Sequence, residues 1–361
     1  MRSTLSKQEQ IDNFDPNGVG AVNGKIFGLP FTYQTAPIVV IPVPWDMTVS
    51  YLDGTSRGAQ AILDYSPQID LHDLEIPNAW KAGIFMLDTP KKIKKLNKKM
   101  RPLARQHIES LEKNTQNTGD ESLLKKLNEA SAQLNQYVFE TATNLLSEGK
   151  IPAVLGGDHS SPLGLIQALA NKHKSFGILQ IDAHADLRIA YEDFTYSHAS
   201  IMYNASQIPS VKKIVSVGIR DICTAEIDFA GNSNGQIVHF YDENLKKEQL
   251  SGQKNWAQQC KEIVKLLPKN VYISFDIDGL KPEFCPATGT PVPGGLSLYE
   301  AFMLLETITH SGKKIIGFDL CEVSVGKEKK VSPQAEYNAN VGARVLYKLC
   351  NRMALSQKVI G

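Results

Sequence analysis

The sequence predicts a three-layer α/β/α sandwich built on a mostly parallel central sheet, and three observations carry that expectation. Short apolar, β-rich runs recur along the chain. Most are followed by Gly, Asp or Ser and then by a helical stretch. The composition, 42% hydrophobic and 21% charged over 361 residues, is that of an ordinary globular protein. Buried strands that alternate with helices place those helices on both faces of a parallel sheet. The same composition excludes wholesale disorder and a fibrous chain.

Taken in order, residues 1–36 carry no legible chemistry and read as an extension that wraps the body or mediates assembly, leaving 37–361 as a single domain. The first strand falls at 37–42. Between 91 and 100 six of ten residues are lysine, but Asp120, Glu121 and Glu129 follow soon after, so the segment reads as a solvated helix face rather than a polyanion site. Residues 115–121 read as a flexible loop. Further strands are expected at 151–155, 176–181, 213–217, 237–241, 271–275 and 314–318, with no internal repeat.

Lys plus Arg is 39 against 38 for Asp plus Glu, a formal charge of +1, which excludes nucleic acid or an acidic membrane bound by charge alone. The polar start lacks a secretory signal, and no run of eighteen apolar residues is present to span a membrane. Cys223, Cys260, Cys285, Cys321 and Cys350 are odd in number and never stand in a C-x-x-C pair. That disfavours a disulfide framework and a Cys-rich zinc site, and points to a cytoplasmic protein.

Ligands of parallel sheets sit at the carboxyl ends of the strands, and the unusual residues collect there. Asp182, His184 and Asp186 follow the 176–181 strand at spacings of two, which on an extended chain projects them to one side. Asp276 and Asp278 repeat the spacing after the 271–275 strand. After the 151–155 strand stand Gly156-Gly157-Asp158-His159-Ser160, whose glycines allow tight turns and whose histidine can point back over the rim. Four carboxylates and two imidazoles at a buried rim are costly without cations, and they offer donors for two divalent ions. The hard donor set suits Mn²⁺, with Ni²⁺ as the alternative. Two such ions lower the pKa of a water between them, which points to metal-assisted hydrolysis.

These three motifs resemble those of the ureohydrolase family of arginases, agmatinases, formimidoylglutamases and guanidine hydrolases, with similarity running over about residues 39–346. The resemblance implies an arginase-like fold. It also implies one metal on His159, Asp182, Asp186 and Asp276 and another on Asp182, His184, Asp276 and Asp278. It implies His198, in Tyr196-Ser197-His198-Ala199-Ser200, as proton shuttle, a task suited to its near-neutral pKa. Glu322 resembles the glutamate that pairs with a substrate guanidinium, with Asp278 assisting, and residues 289–295 resemble a loop beside the metals. Rings or stacked rings of subunits, a trimer or hexamer, are implied as well.

The chain departs from the family pattern in places. Lys281 stands where an aspartate is usual. The asparagines that read an α-amino acid in arginases are missing from 187–196, and Cys223 replaces an aspartate although Arg220, Asp221 and Glu226 remain. The expected substrate is therefore a small guanidino compound without a carboxylate, such as agmatine, split into urea and an amine. Free guanidine is the rival, because Trp45, Met47 and Thr48 are expected at the pocket mouth, where Trp45 and Thr48 would bind substrate and bulk would shorten the pocket. Arginase and formimidoylglutamase activity, a metal-binding scaffold without turnover, and a mononuclear zinc deacylase are the remaining readings.

Overall fold

The computed structural model describes residues 5–113, 120–326 and 332–360. Eight strands form one sheet: β1 (Ile38–Pro42), β2 (Ile84–Met86), β3 (Ile151–Leu155), β4 (Phe176–Ile181), β5 (Val211–Ile219), β6 (Ile237–Tyr241), β7 (Asn270–Asp276) and β8 (Lys314–Cys321). Their order is β2-β1-β3-β8-β7-β4-β5-β6, and every pairing is parallel. The β7–β8 register sets Ser274 beside Asp319 and Asp276 beside Cys321. Three expected strands match their observed bounds, β1 begins one residue later than expected, and β5, β7 and β8 run longer. The three-residue β2 is not expected from the sequence, because so short an apolar run carries no period of its own.

Helices cover both faces, each over its own apolar core. Helices Trp256–Leu266, Leu298–His310 and Pro333–Ser356 pack on one side, and Lys91–Glu112, Asp120–Ser147 and Leu163–Lys172 on the other. In Lys91–Glu112 the buried residues are Ile93, Asn97, Met100, Ala104, His107 and Ile108, spaced three or four apart, while the lysines are exposed. The solvated face expected there is what the structure has. Of the flexible loop expected over 115–121, residues 115–119 lie outside the described residues, and Asp120 already begins a helix.

The extension lies along the body of its own chain. Ile26, Phe27, Leu29 and Phe31 are buried in the first core, the Phe27 ring meets Tyr347 at 5.0 Å, and Lys7 Nζ donates to the Ala82 carbonyl at 2.8 Å. Among the described residues no helix is long and apolar enough to cross a membrane. The five cysteines are free thiols.

One glycine binds the β1 loop to the β3 loop. Gly157 N donates to the Val43 carbonyl at 2.9 Å and Asp158 N to the Trp45 carbonyl at 2.8 Å, so a Cβ at 157 would overlap the Trp45 carbonyl oxygen. Gly157→Ala is expected to cost about 3 kcal/mol of stability in a denaturant titration; a loss below about 0.5 kcal/mol, the size of an ordinary surface change, would contradict this close approach.

Candidate metal centre

The four central strands, adjacent in the order β3-β8-β7-β4, deliver the acidic and imidazole side chains to one point. His159 follows β3, Asp182 to Asp186 follow β4, Asp276 ends β7 with Asp278 in the turn after it, and Glu322 follows β8. His159 Nδ1 lies 2.8 Å from Asp186 Oδ2, 3.1 Å from Asp182 Oδ2 and 3.4 Å from Asp276 Oδ2. His184 Nδ1 lies 3.1 Å from Asp278 Oδ2 and 3.6 Å from Asp182 Oδ1. Among the described residues, two sets of side chains can hold a metal ion: His159 with Asp182 and Asp186, and His184 with Asp182 and Asp278. Asp182 is common to both, and Asp276 joins the first through His159. All six residues expected as ligands from the sequence are thus brought together.

A buried orphan atom tests the fit. His159 Nδ1 faces three carboxylates yet has the alignment for a hydrogen bond with none of them. Its other nitrogen, Nε2, lies 2.9 Å from Ser274 Oγ, which donates to Asp319 Oδ1 at 3.2 Å, and Tyr272 donates to Asp319 Oδ2 at 2.7 Å. With Ser274 donating onward, Nε2 carries a proton, and Nδ1 is the nitrogen aimed at the carboxylates, whose charges raise the ring's pKa well above its ordinary value against the cost of burial. That is the orientation of a metal ligand held by its outer hydrogen bond, with a proton on Nδ1 where a cation would sit.

The carboxylates are oriented in the same manner. Gln180 Nε2 donates to Asp182 Oδ2 at 2.9 Å and the His184 amide to Asp182 Oδ1 at 2.7 Å. Asp278 N donates to Asp276 Oδ1 at 2.9 Å, and Ala183 N to Asp278 Oδ1 at 3.1 Å. Gly279 permits this contact between the two loops, because a Cβ there would lie 2.6 Å from Asp182 N.

Electrostatics point the same way. Burial, then the charges of Asp278 and Asp182, push the Asp276 carboxyl well above its ordinary range. Burial and Asp182 push Asp186 up to about 7. Burial opposes a charge on Asp182 too, but the flanking His159 and His184 rings hold its carboxyl well below the usual value. His184, despite burial, is pushed up to about 12 by Asp278 and Asp182. Protons on imidazole and carboxyl groups thus take the place that dications would fill, and the donor set of oxygens and imidazole nitrogens fits two of them.

Glu322 stands at the edge of this cluster with φ at +62°, a left-handed backbone that a glutamate adopts only where its surroundings impose it. Its amide donates to the Gly157 carbonyl at 2.9 Å, its carbonyl accepts from Thr288 Oγ1 at 2.8 Å, and its Oε1 accepts from the His159 amide at 2.9 Å. Burial, then the charge of Asp158, raise its carboxyl well above the usual range. Asp186, at φ +54°, is another residue of the cluster in that conformation.

A cavity of about 180 Å³ opens over the cluster and is lined by His198 and Glu322 together with Ser50, Arg188, Tyr191 and Asp221. The Arg188 guanidinium lies 4.8 Å from the Tyr191 ring centre and 3.8 Å from Glu226 Oε2, and the Tyr191 ring centre is 6.0 Å from that of His198. Burial, then the charges of His184 and His159, push the His198 ring down to about 3. A larger cavity of about 540 Å³, between the helix Lys91–Glu112 and the 56–64 segment, contains none of the convergent residues.

The residues expected at the mouth require correction. Trp45 and Met47 are fully buried in the second apolar core and do not line the cavity, because the loop after β1 folds inward over β3. Thr48 is also fully buried; its hydroxyl reaches Asp158 and His198 rather than the open cavity. Lys281 points away, 4.0 Å from Glu283, and Arg220 clamps the Gly218, Asp278, Leu280 and Val292 carbonyls as a structural brace. Sequence reasoning leaves Gln180, Tyr272, Ser274 and Asp319 unassigned. The signal is present as alternation: Tyr272, Ser274 and Asp276 stand two apart, separated by the apolar Ile273 and Phe275.

A parallel α/β sandwich whose central strand ends carry a buried His–Asp cluster fit for two divalent ions defines a class of metal-dependent hydrolases. Comparison with known proteins supplies the family. A profile of the arginase family matches residues 36–350. The N(1)-aminopropylagmatine ureohydrolase of Thermus thermophilus is 30% identical over 335 residues, covering 89% of this chain and 92% of that protein. The agmatinase of Halalkalibacterium halodurans is 29% identical over 314 residues, covering 84% and 90%. The crystal structure of the agmatine ureohydrolase of Thermoplasma volcanium superposes with a TM-score of 0.66 at 21% identity, covering 97% of this chain and 99% of that one, which shows the shared fold. The chain belongs to the arginase family, hydrolases that act on C–N bonds of linear amidines.

Ser274→Ala removes the outer hydrogen bond of His159 and is expected to weaken binding of one Mn²⁺ about tenfold or more. Asp276→Ala is expected to lose metal and activity together. Titration followed by elemental analysis reads both, and a wild-type metal content in Asp276→Ala would contradict its place in the cluster.

Proposed function

We propose that this chain is a binuclear metal ureohydrolase that cleaves an agmatine-like guanidino compound into urea and an amine. The observation that carries the reading is the meeting of His159, Asp182, His184, Asp186, Asp276 and Asp278 beneath a cavity whose walls include Glu322 and His198. When bound, two divalent cations supply positive charge to the reacting centre and acidify water. Mn²⁺ is the proposed metal, with Ni²⁺ the alternative.

The chain's own residues then bind and orient. Glu322, braced by the hydrogen bonds described above, offers its carboxylate to the guanidinium, where two parallel charge-assisted bonds turn the central carbon toward the cluster. Asp278, whose Oδ2 accepts from Thr290 at 3.3 Å, steers the same cation. His198 carries the proton that the departing amine requires. Asp221, 70% exposed at the mouth and 4.0 Å from His184 Nε2, suits a distal ammonium. The names of the relatives, agmatinase and N(1)-aminopropylagmatine ureohydrolase, agree with such a substrate.

Arg188 favours a second reading. It is a cation in the cavity wall, and its charge works against a second positive group on the substrate, which suits free guanidine, hydrolysed to urea and ammonia. The profile match beginning at residue 36 supports residues 1–36 as an extension of a single catalytic domain, 37–361. A cytoplasmic homo-oligomer, trimer or hexamer, is part of the same proposal.

The test is a panel of agmatine, N(1)-aminopropylagmatine, guanidine, arginine and formimidoylglutamate with protein loaded with Mn²⁺ or Ni²⁺, reading urea, ammonia and formamide. Agmatine or its aminopropyl derivative is expected to be fastest; no turnover of any compound would defeat the proposal. Glu322→Gln is expected to retain both metals and lose turnover by about a hundredfold or more. Undiminished turnover would remove the role given to that carboxylate.

A further inference from the structure

Thr48 does not line the cavity over the cluster, yet its amide and its hydroxyl are both held. Its amide and its hydroxyl both donate to Asp158 Oδ2, at 3.2 and 3.0 Å. The other carboxylate oxygen of Asp158 accepts from the Ser160 amide at 3.1 Å and from the Ser160 hydroxyl. Asp158 itself is fully buried. With its single proton directed at Asp158, Thr48 Oγ1 is left to accept. It accepts from the His198 amide at 3.1 Å and lies 3.3 Å from His198 Nδ1. Ser197 Oγ, 3.4 Å from the same nitrogen, accepts from the Ala199 amide at 3.3 Å.

We propose that Thr48, oriented by Asp158, is a positioning residue that sets both the place and the tautomer of His198. Thr48 Oγ1, its hydrogen already committed, can only receive the Nδ1 proton, whereas the longer Ser197 contact could run either way; the Thr48 contact therefore selects the tautomer with the proton on Nδ1 and the free lone pair on Nε2. The bond to the His198 amide places the start of the His198–Ser200 turn, and with it the ring, against the loop after β1. Thr48 and His198 are 150 residues apart in the chain, and Asp158 belongs to the β3 loop that also carries His159. One carboxylate therefore couples the position of a metal-ligand loop to that of the proton carrier.

This inference rests on His198 acting as proton carrier, and the experiment separates the two claims. Thr48→Val, Thr48→Ser, His198→Ala and the Thr48→Val/His198→Ala double variant are assayed as full-length, Mn²⁺-loaded protein with agmatine, or with the best substrate of the panel. Metal content is read on each. Thr48→Val is expected to lower kcat about tenfold, with KM within about twofold and both metals retained. Thr48→Ser, which keeps the hydroxyl, is expected to stay within about threefold of the native rate. In the His198→Ala background the valine substitution is expected to cost less than about twofold, because its effect passes through the missing ring. The same loss in both backgrounds, a rise in KM alone, or no loss at all would each overturn the positioning role. Native turnover in His198→Ala would instead overturn the reading of His198 itself. Thr48→Ala provides the same comparison if the valine variant does not fold.

Discussion

Negative charge packed against negative charge, out of contact with water, is the constraint around which this protein is organised. Asp182, Asp186, Asp276, Asp278 and Glu322 lie within one buried cluster, and the imidazoles of His159 and His184 stand among them with opposite charge when protonated. Desolvation disfavours each carboxylate and each repels the others, so some carboxyls are driven up while Asp182, between two rings, is held down. Such an arrangement needs compensating positive charge, from protons or from cations. The neighbouring hydrogen bonds orient the donors for those cations rather than neutralising the carboxylates.

The sheet makes that concentration of charge feasible. Four parallel strands side by side end at one rim, and each contributes one part of the site: an imidazole, a pair of turns with acids, or the Glu322 carboxylate. Loops after β4 and β7 are interleaved by bonds such as Ala183 N to Asp278 Oδ1, so neither can shift without the other. Left-handed backbone at Asp186 and Glu322 shows where the surrounding structure forces the chain to aim a side chain. Beneath the ligands, Tyr272, Ser274 and Asp319 carry the orientation of His159 into the sheet itself.

Much of this organisation is legible in the amino-acid sequence. The spacing of two at Asp182, His184 and Asp186, and again at Asp276 and Asp278, speaks directly of side chains sharing one side of an extended segment. The parallel sheet is legible because each buried strand is a short apolar run that ends in Gly, Asp or Ser. The loop carrying Trp45, Met47 and Thr48 lies elsewhere than its sequence suggests. A bulky apolar side chain near a motif reads equally as pocket wall or as core, and the difference is which way the loop turns. Arg188 and Tyr191 are not legible as cavity walls, because their approach depends on the irregular turn at residues 190–193, with positive φ at Ala190, Glu192 and Asp193.

The fold class and the candidate donor residues follow from periodicity and from residue types at short range, where neighbours along the chain are neighbours in space, and the family from the resemblance of the motifs that those residues form. The strand order, the burial of Trp45, the brace made by Arg220 and the link from Asp158 through Thr48 to His198 come from the folded chain alone. Each of those contacts joins residues that are not sequence neighbours, in most cases tens to hundreds of positions apart. Their distances follow from how helices and loops pack over the sheet, a property of the whole chain that no local spacing encodes.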